Sequence, residues 1–303
     1  MNGPSGICDY EGSRYQEEFW GQGRHEYEDL CEAAALRRLL PPQGGNRLLE
    51  LGAGAGRNTP RYLGFERIIL LDYSRSQLLQ ARERLGSGPR YTFVAANIYH
   101  LPFVPAAFPA VTMIRTLHHL PDPPGALQQV REVIRPGGAL ILEFANKRNL
   151  KAVARYLLGR QSWSPFSQEA VEFAPLNFDF HPAAVRRWLK EAGFHLEKQL
   201  TVSHFRQEWL KRRIRPGLLA RLDGWVSLTG NLWQLTPSVF TLSRATGEAG
   251  PGESESLFRC PQCGDPRLEK VPGAGESTAL ACQGCGRQYA VRDGIYDFRG
   301  PVG

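Results

Sequence analysis

The sequence predicts an α/β fold: a mostly parallel sheet of seven strands with helices on both faces, followed by a small four-cysteine segment. Short apolar runs alternate with helical segments through the first half of the chain, and a glycine-rich turn follows the first run. Alternating strands and helices form βαβ units, which assemble into parallel sheets covered on both faces. Two C-x-x-C pairs near the C-terminus predict the second, smaller unit.

Five apolar runs have the length of strands that are buried on both faces of a sheet. They cover residues 47–51, 67–72, 91–96, 110–114 and 139–144. Helices are expected near residues 24–40, 57–64, 75–85 and 123–134. Gly137-Gly138, which follows Arg135-Pro136, is expected to form a tight turn into the fifth strand.

The next part of the chain is less regular. Helices are expected at 146–160 and 181–192, with a polar, aromatic loop between them. Strands at 194–202 and 238–244 would close the sheet as an antiparallel pair. Between these two strands lies an insert, residues 203–237, which contains three tryptophans and the basic run Lys211-Arg-Arg213.

The first strand runs into the glycine loop Leu48-Leu-Glu-Leu-Gly-Ala-Gly-Ala-Gly56, and the second strand ends on Asp72. Glycines let the backbone pass close under a ligand, because a Cβ there would collide with it. An acid at the end of the next strand is placed to accept hydrogen bonds from two ribose hydroxyls. The pattern therefore predicts a nucleoside-bearing cofactor at the edge of the sheet.

The glycine spacing distinguishes between cofactors. A dinucleotide fingerprint reads G-x-G-x-x-G. Here Gly52, Gly54 and Gly56 alternate with other residues, and Arg57 stands where the third dinucleotide glycine would be. This spacing argues against NAD(P) and FAD. The alternative without a ligand is a glycine-rich β-to-α turn.

The run E-L-G-x-G-x-G resembles motif I of class I S-adenosylmethionine-dependent methyltransferases, a Rossmann-like fold. The turn R-P-G-G at 135–138 is also common in that family. The resemblance implies S-adenosyl-L-methionine as cofactor. The cofactor-binding residues that it implies are Glu50, Gly52, Ala53, Gly54, Gly56, Asp72, Tyr73, Asn97, Ile98 and Arg115.

In this family Glu50 and Arg115 would lie near the methionine end of the cofactor. The third strand normally ends on an Asp that accepts a hydrogen bond from the adenine amino group, but here that position is Asn97. Its amide oxygen can still accept the bond without charge assistance, so we expect modestly weaker cofactor binding. Ile98 would contact the adenine ring. Alternatively, Asn97 is only a turn residue at the surface.

His118 and His119 are the catalytic candidates, because a general base is needed if the acceptor must lose a proton. The alternative is a packing or capping role at the entry to a helix. Tyr15, Phe19 and Trp20 are candidates to close over the cofactor, since aromatic rings favour a cationic sulfonium. Their alternative role is packing of the first helix onto the sheet.

Cys260, Cys263, Cys282 and Cys285 form two C-x-x-C pairs that are eighteen residues apart. This spacing indicates a tetrahedral Zn²⁺ site with four thiolates, which leave no open position, so the metal would be structural. Disulfides are the alternative, and a cytoplasmic chain disfavours them. The tail from Gln288 to Phe298 resembles the zinc-ribbon family that occurs as an activating partner or fused tail of methyltransferases.

The composition predicts a soluble protein, and the motifs divide the chain into two expected domains. The chain has 303 residues and a formal charge of +7. We find no signal peptide and no apolar run long enough to span a bilayer, so we expect a soluble, cytoplasmic protein. The expected methyltransferase domain covers 1–246, with 203–237 as an insert or lid. A flexible linker would cover 247–256, and the zinc-ribbon domain 257–303.

The expected function is methyl transfer to a small-molecule or lipid-like acceptor. The fourth-strand, R-P-G-G and Leu142-Glu-Phe144 segments resemble the ubiquinone and menaquinone C-methyltransferase branch. The N-P-P-[YFW] motif, which is typical of amino-methylating nucleic-acid enzymes, does not occur. Two alternatives remain open. One is an RNA- or ribosome-associated methyltransferase, which the basic charge suits; the other is a non-catalytic cofactor-binding scaffold.

Overall fold

The structure is a computed structural model that describes residues 10–13, 25–248, 256–273 and 278–302. Its helices are α1 (Glu26–Leu39), α2 (Arg75–Leu85), α3 (Pro123–Val133), α4 (Leu150–Leu157), α5 (Pro182–Glu191), α6 (Glu208–Arg213) and α7 (Pro216–Val226). The first nine strands are β1 (Gly45–Leu51), β2 (Phe65–Asp72), β3 (Tyr91–Ala95), β4 (Phe108–Met113), β5 (Ile134–Ala145), β6 (Val171–Ala174), β7 (Asn177–Asp179), β8 (Phe194–Val202) and β9 (Ser238–Ala245). The C-terminal segment contributes β10 (Leu268–Pro272), β11 (Thr278–Cys282), β12 (Gln288–Arg292) and β13 (Ile295–Asp297).

The predicted α/β sheet is confirmed. Strands β3, β2, β1, β4 and β5 lie side by side and parallel, and β9 and β8 follow as an antiparallel pair. The expected crossing helices α2 and α3 connect parallel strands, as βαβ units require. Parallel strands end at the same edge of the sheet, so the ends of β1 to β4 are brought together there.

Both faces of the sheet are covered. Successive side chains of β1 point to opposite faces: Leu49 and Leu51 join one core, and Leu48 joins the other. Helices α3 and α5 supply buried residues to the first core, while α1, α2 and α7 supply them to the second. Strand β4 is buried along its whole length, which explains why its sequence reads as a continuous apolar run.

The seven expected strands are present, but the sheet does not end with them. Within the described residues it has eleven strands, in the order β10-β11-β12-β13-β3-β2-β1-β4-β5-β9-β8, because four C-terminal strands extend it. Strand β13 pairs with β3 in parallel, with Ile295 opposite Phe93 and Asp297 opposite Ala95. An edge strand leaves a row of backbone N–H and C=O groups free to pair with another strand. The C-terminal segment uses that edge of β3 and so extends the sheet.

Three local expectations differ from the structure in whole or in part. The segment expected as a helix at 57–64 contains only the 3₁₀ turn Thr59–Arg61, and Gly64 follows with a positive φ of 85°. Arg135 to Gly138 lies within the bounds of β5, but these four residues have no partner on β4 and Gly137 has a φ of 74°, so the expected turn is present inside the strand and not before it. The expected loop at 161–180 contains the hairpin β6–β7.

The insert 203–237 folds against α1. It consists of α6, α7 and the 3₁₀ turn Ser227–Asn231. Asp223 of α7 anchors it: its carboxylate accepts a hydrogen bond from Tyr27 Oη at 3.0 Å and from the backbone N–H of His204 at 2.7 Å. A buried carboxylate with several donors is held rigidly, so α7 has one fixed inner face.

Some expectations fall on residues that the structure does not describe. Tyr15, Phe19 and Trp20 lie outside the described residues, as does most of the predicted linker, residues 249–255. Among the described residues, every helix is too short or too polar to cross a membrane.

Candidate functional site

One cavity opens where β1, β2, β3 and β4 end, at the sheet edge that the sequence pattern predicts. Its lining includes nine of the ten predicted cofactor residues: Glu50, Gly52, Ala53, Gly54, Asp72, Tyr73, Asn97, Ile98 and Arg115. The tenth, Gly56, lies in the same loop but not on the cavity wall. Parallel α/β sheets bind ligands at this edge.

The three loop glycines all adopt a positive φ: 65° at Gly52, 52° at Gly54 and 72° at Gly56. A Cβ on Gly52 would lie 2.1 Å from Thr116 Oγ1, and one on Gly56 would lie 2.8 Å from Leu85 Cδ1. These two positions therefore need glycine for the fold itself. A Cβ on Gly54 would meet only Gln77 Oε1, at 4.0 Å, so the space beside Gly54 is open.

Asp72 is fixed against the glycine loop. Its Oδ2 accepts a hydrogen bond from the Gly54 N–H at 2.8 Å, and its Oδ1 accepts one from the Ser74 N–H at 2.9 Å. Ser74 in turn caps α2 by accepting from Gln77 N. A carboxylate has about four acceptor sites, and these two hydrogen bonds use two of them.

Glu50 lies on the cavity wall with its carboxyl group buried. Thr59 Oγ1 donates to one oxygen at 2.6 Å, and Tyr62 Oη donates to the other at 3.0 Å. Burial raises the pKa of Glu50 to about 7, because a charge is costly in a medium of low polarity. This acid therefore holds its proton to a higher pH than an exposed glutamate does.

A charged network that sequence reasoning missed lies behind the loop. Arg57 and Arg115 both pair with the buried carboxylate of Glu32, each with an N···O distance of 2.5 Å, and Arg57 also pairs with Asp29. Burial alone would raise the pKa of Glu32, but the guanidinium groups of Arg115 and Arg57 lower it to about 2. Glu32 therefore holds two cavity-lining arginines in place.

The adenine-side candidates lie together after β3. The Oδ1 atom of Asn97 accepts a hydrogen bond from the backbone N–H of Tyr99 at 2.9 Å, which fixes the amide. Ile98 is half-buried beside it. Tyr10, from the N-terminal segment, also lines the cavity and lies within hydrogen-bond distance of His119, with Oη and Nε2 3.2 Å apart.

The two histidines occupy different positions. His119 lines the cavity, and its Nδ1 is 3.1 Å from the carbonyl oxygen of Leu176. His118 is not on the cavity wall, and its buried Nδ1 has no hydrogen-bond partner in the described part of the chain. Burial lowers the pKa of both imidazoles, and that of His118 far more. Both rings are therefore neutral at physiological pH.

A second group of ionisable residues lies at the end of β5. Glu143 accepts a hydrogen bond from the Arg115 N–H at 2.9 Å and another from Ser238 Oγ at 2.6 Å. Burial and the neighbouring Glu143 raise the pKa of Asp179 to about 6. Burial lowers the pKa of Arg206; the charge of Arg115 lowers it further, and the charge of Glu143 opposes this shift. No sequence pattern predicts this group, because its members are far apart along the chain.

The four predicted metal-ligand cysteines come together. Their sulfur atoms all lie within 4.8 Å of one another. Cys260 and Cys285 are 3.7 Å apart, and Cys263 and Cys282 are 3.5 Å apart, without disulfide bonds. Gly264 and Gly286, which follow the second cysteine of each pair, have φ values of 79° and 72°, as left-handed turns require.

The parallel sheet, the glycine loop and the acid at the end of β2 define a class of enzymes that bind a nucleoside cofactor at the sheet edge. The sequence model of the family described as "Methyltransferase domain" matches residues 49–142, which include this loop and acid. The chain belongs to the class I S-adenosylmethionine-dependent methyltransferases, and S-adenosylmethionine is its cofactor.

Individual relatives of this chain are also named as methyltransferases. The demethylmenaquinone methyltransferase of Clavibacter sepedonicus is 29% identical over 180 residues, covering 55% of this chain and 72% of the relative. The ubiquinone/menaquinone biosynthesis C-methyltransferase UbiE of Roseobacter denitrificans is 30% identical, covering 54% of this chain and 72% of the relative. A solved structure of a complex between the Haloferax volcanii Trm112 methyltransferase activator and a putative methyltransferase shares the fold, with a TM-score of 0.54 and 16% identity over 77% of this chain and 96% of that chain.

Proposed function

We propose that this enzyme transfers the methyl group to a small-molecule or lipid-like acceptor and that the acceptor binds beside Arg115. The observation that carries the proposal is the similarity to enzymes named for demethylmenaquinone and ubiquinone/menaquinone methylation. Arg115 lines the cavity, its backbone N–H donates to Glu143, and Asp179 and Arg206 interact electrostatically with Glu143; this arrangement supports the second part. Such groups can orient a polar acceptor head and accept its proton.

The residues of the cavity fit the cofactor. The open space beside Gly54 leaves room for a ligand against the backbone. Asp72 lines the cavity and would accept hydrogen bonds from the ribose hydroxyls, and Tyr73 would lie next to it. Asn97 and Ile98 would contact adenine. Glu50 and Arg115 would hold the methionine end, with Gly52, Ala53 and Gly56 shaping the loop.

When bound, S-adenosylmethionine supplies an electrophilic methyl group that a nucleophile takes by direct displacement. The chain's own contribution is to hold the acceptor in line with that methyl group, and most of the rate acceleration comes from this orientation. If the nucleophile carries a proton, His119 is the first candidate to accept it, because its ring lines the cavity and is neutral. His118 would support the His119 ring, since the ring centroids are 4.0 Å apart.

We further propose that the four cysteines bind one structural Zn²⁺. In a tetrahedral site with Zn–S bonds of about 2.3 Å, neighbouring sulfurs lie about 3.8 Å apart. The Cys260 and Cys285 sulfurs are 3.7 Å apart and the Cys263 and Cys282 sulfurs are 3.5 Å apart, so both distances are close to that geometry. Residues 257–303 would then be a metal-stabilised accessory unit joined through the linker 247–256, and its role would be to complete the sheet at β3.

The RNA alternative has weaker support. Lys211 of the basic run pairs with Glu28 at 3.2 Å and with Glu208 at 2.9 Å, so it is engaged within the protein. Arg212 and Arg213 are exposed. Neutralising these two arginines would lower an RNA affinity and its dependence on salt if the enzyme bound RNA.

A transfer screen tests the proposal. The enzyme is incubated with methyl-labelled S-adenosylmethionine and with separate cell fractions of lipids, polar small molecules and RNA. We expect label in a lipid or small-molecule fraction and none with Asp72→Ala, which serves as the control. Label found only in RNA would select the alternative acceptor, and cofactor binding without any transfer would indicate a scaffold.

A further inference from the structure

The outer face of α7 is apolar and uncovered. The inner face of this helix packs against α1 through Leu219 and Asp223. Leu218, Leu222 and Trp225, at positions i, i+4 and i+7, are exposed on the opposite side, and Trp225 is 79% exposed. A helix normally buries a stripe of this kind. In the described part of the chain, nothing covers it.

The apolar surface continues beyond α7. Leu232 is 84% exposed, and Trp233 is held at the surface by a hydrogen bond from its Nε1 to Thr229 Oγ1 at 2.9 Å. The backbone N–H of Leu150 donates to the carbonyl of Leu235 at 2.8 Å, so α4 begins beside this segment. Helix α4 exposes further large side chains, including Leu157 at 72%.

We call this surface the docking face. It consists of the exposed apolar side chains Leu150, Leu157, Leu158, Leu218, Leu222, Trp225, Leu228, Leu232 and Trp233. Isolated exposed apolar residues are common on proteins, but nine large ones within the two short stretches 150–158 and 218–233 are not. A group of this kind is typical of a surface that contacts another molecule or a membrane.

Positive charge borders the docking face. Between Ala145 and Gln168 the sequence has five basic residues and no acidic residue. Exposed arginines occur at Arg155, Arg160, Arg212, Arg213, Arg215 and Arg221. Their side chains form no hydrogen bond or ion pair with any described residue. The insert's acids do not offset them, because Asp223 is buried and Glu208 pairs with Lys211.

We propose that the docking face binds the surface of an anionic phospholipid bilayer. Leucine and tryptophan side chains would enter the boundary between headgroups and acyl chains, and the arginines would lie against the phosphates. A second copy of this chain fits less well, since a two-fold interface would place two positive faces against each other. The proposal goes beyond methyl transfer and does not depend on which acceptor is methylated.

Vesicle flotation tests the apolar part. Wild type is expected to float with phosphatidylcholine vesicles that contain phosphatidylglycerol, and to bind pure phosphatidylcholine more weakly. The triple variant Leu222→Ser, Trp225→Ser, Leu232→Ser is expected to lose at least ~10-fold in partitioning, because burial of large apolar side chains drives insertion. Leu63→Ser is the matched control: Leu63 is 74% exposed but lies outside the docking face, and its variant should bind like wild type.

Charge variants test the electrostatic part. Each of Arg155→Gln, Arg213→Gln and Arg221→Gln is expected to weaken binding to anionic vesicles by about fivefold and to reduce its salt dependence. Arg84→Gln, at an exposed position on α2, is the matched control. All variants should keep wild-type melting temperature and S-adenosylmethionine affinity, which separates docking from methyl transfer.

Three outcomes would overturn the proposal. The first is no flotation of wild type with anionic vesicles at low salt. The second is an equal loss in Leu63→Ser. The third is a concentration-dependent dimer, seen by sedimentation, that the triple variant abolishes; this result would assign the docking face to a second copy of the chain.

Discussion

The carboxylate of Asp72 accepts a hydrogen bond from the backbone N–H of Gly54 at 2.8 Å. The acid at the end of β2 thus shapes the glycine loop that follows β1. A residue that organises the loop and also faces the cavity has two roles, and a conservative substitution can separate them.

Replacing Asp72 by Asn should weaken S-adenosylmethionine binding by about 10- to 100-fold. An amide has one acceptor oxygen and no charge, and a hydrogen bond to a charged group contributes about 1.5–3 kcal/mol. Isothermal titration calorimetry measures the change. Asp122→Asn is the control, because Asp122 is an exposed cap of α3 and Asn caps a helix equally well. An unchanged dissociation constant in Asp72→Asn would contradict the ribose assignment.

Two glycine substitutions should behave differently. In Gly54→Ala we expect a loss of about 1–2 kcal/mol in stability from the positive φ, together with loss of cofactor binding because the new methyl group occupies open cavity space. In Gly52→Ala the methyl group collides with Thr116, so the melting temperature should fall much further. Thermal unfolding with and without S-adenosylmethionine reports both effects. If S-adenosylmethionine raised the melting temperature of Gly54→Ala as much as that of wild type, the cofactor would not lie against Gly54.

Stability should fall as the pH rises, in part through Glu50. Its pKa is about 7 in the folded protein, against 4.5 for an exposed glutamate. Between those values the folded state holds a proton that the unfolded state has lost, so its free energy of unfolding decreases with pH, by about 3 kcal/mol in total. Urea unfolding of wild type and Glu50→Gln across pH 4.5–7.5 should show a smaller loss in the variant, which lacks the contribution of Glu50 and keeps that of Asp179. Parallel curves for the two proteins would exclude Glu50 as the source.

Removal of metal should affect the cofactor site. Strand β13 pairs with β3, and Phe298 N donates to Ala95 O at 2.7 Å, two residues before Asn97. We expect about one zinc per chain by plasma mass spectrometry. Chelation or Cys282→Ser should lower both the melting temperature and S-adenosylmethionine affinity. Cys31→Ala keeps all four ligands and should retain the metal; well under one zinc per chain in wild type would refute the site.

The two histidines give a matched pair for catalysis. His119→Gln should lower kcat by about 10²- to 10⁴-fold if this ring accepts the acceptor's proton. The dissociation constant of the cofactor should stay near its wild-type value. His118→Asn, behind the cavity wall, should affect kcat less, measured with the acceptor that the transfer screen finds. A larger loss in His118→Asn would reverse the assignment.

The sequence predicted those parts of the structure that local patterns encode. Apolar runs located the parallel strands, and the loop ending at Gly56 with Asp72 located the cavity. Strand β13 was missed because it has three residues and pairs with a strand about two hundred residues earlier. The cluster of Glu143, Asp179 and Arg206 was missed for the same reason: only the fold brings these residues together.

The pairing of β13 with β3 has a consequence for synthesis. Strand β3 leaves the ribosome early, but its outer edge stays unpaired until the last strand of the sheet has emerged. A nascent or truncated chain therefore carries an open strand edge, which is a template for aggregation. If residues 257–303 depend on the proposed Zn²⁺ for folding, metal binding would also decide when a new molecule closes that edge, and the yield of folded enzyme would then rise with the zinc supply.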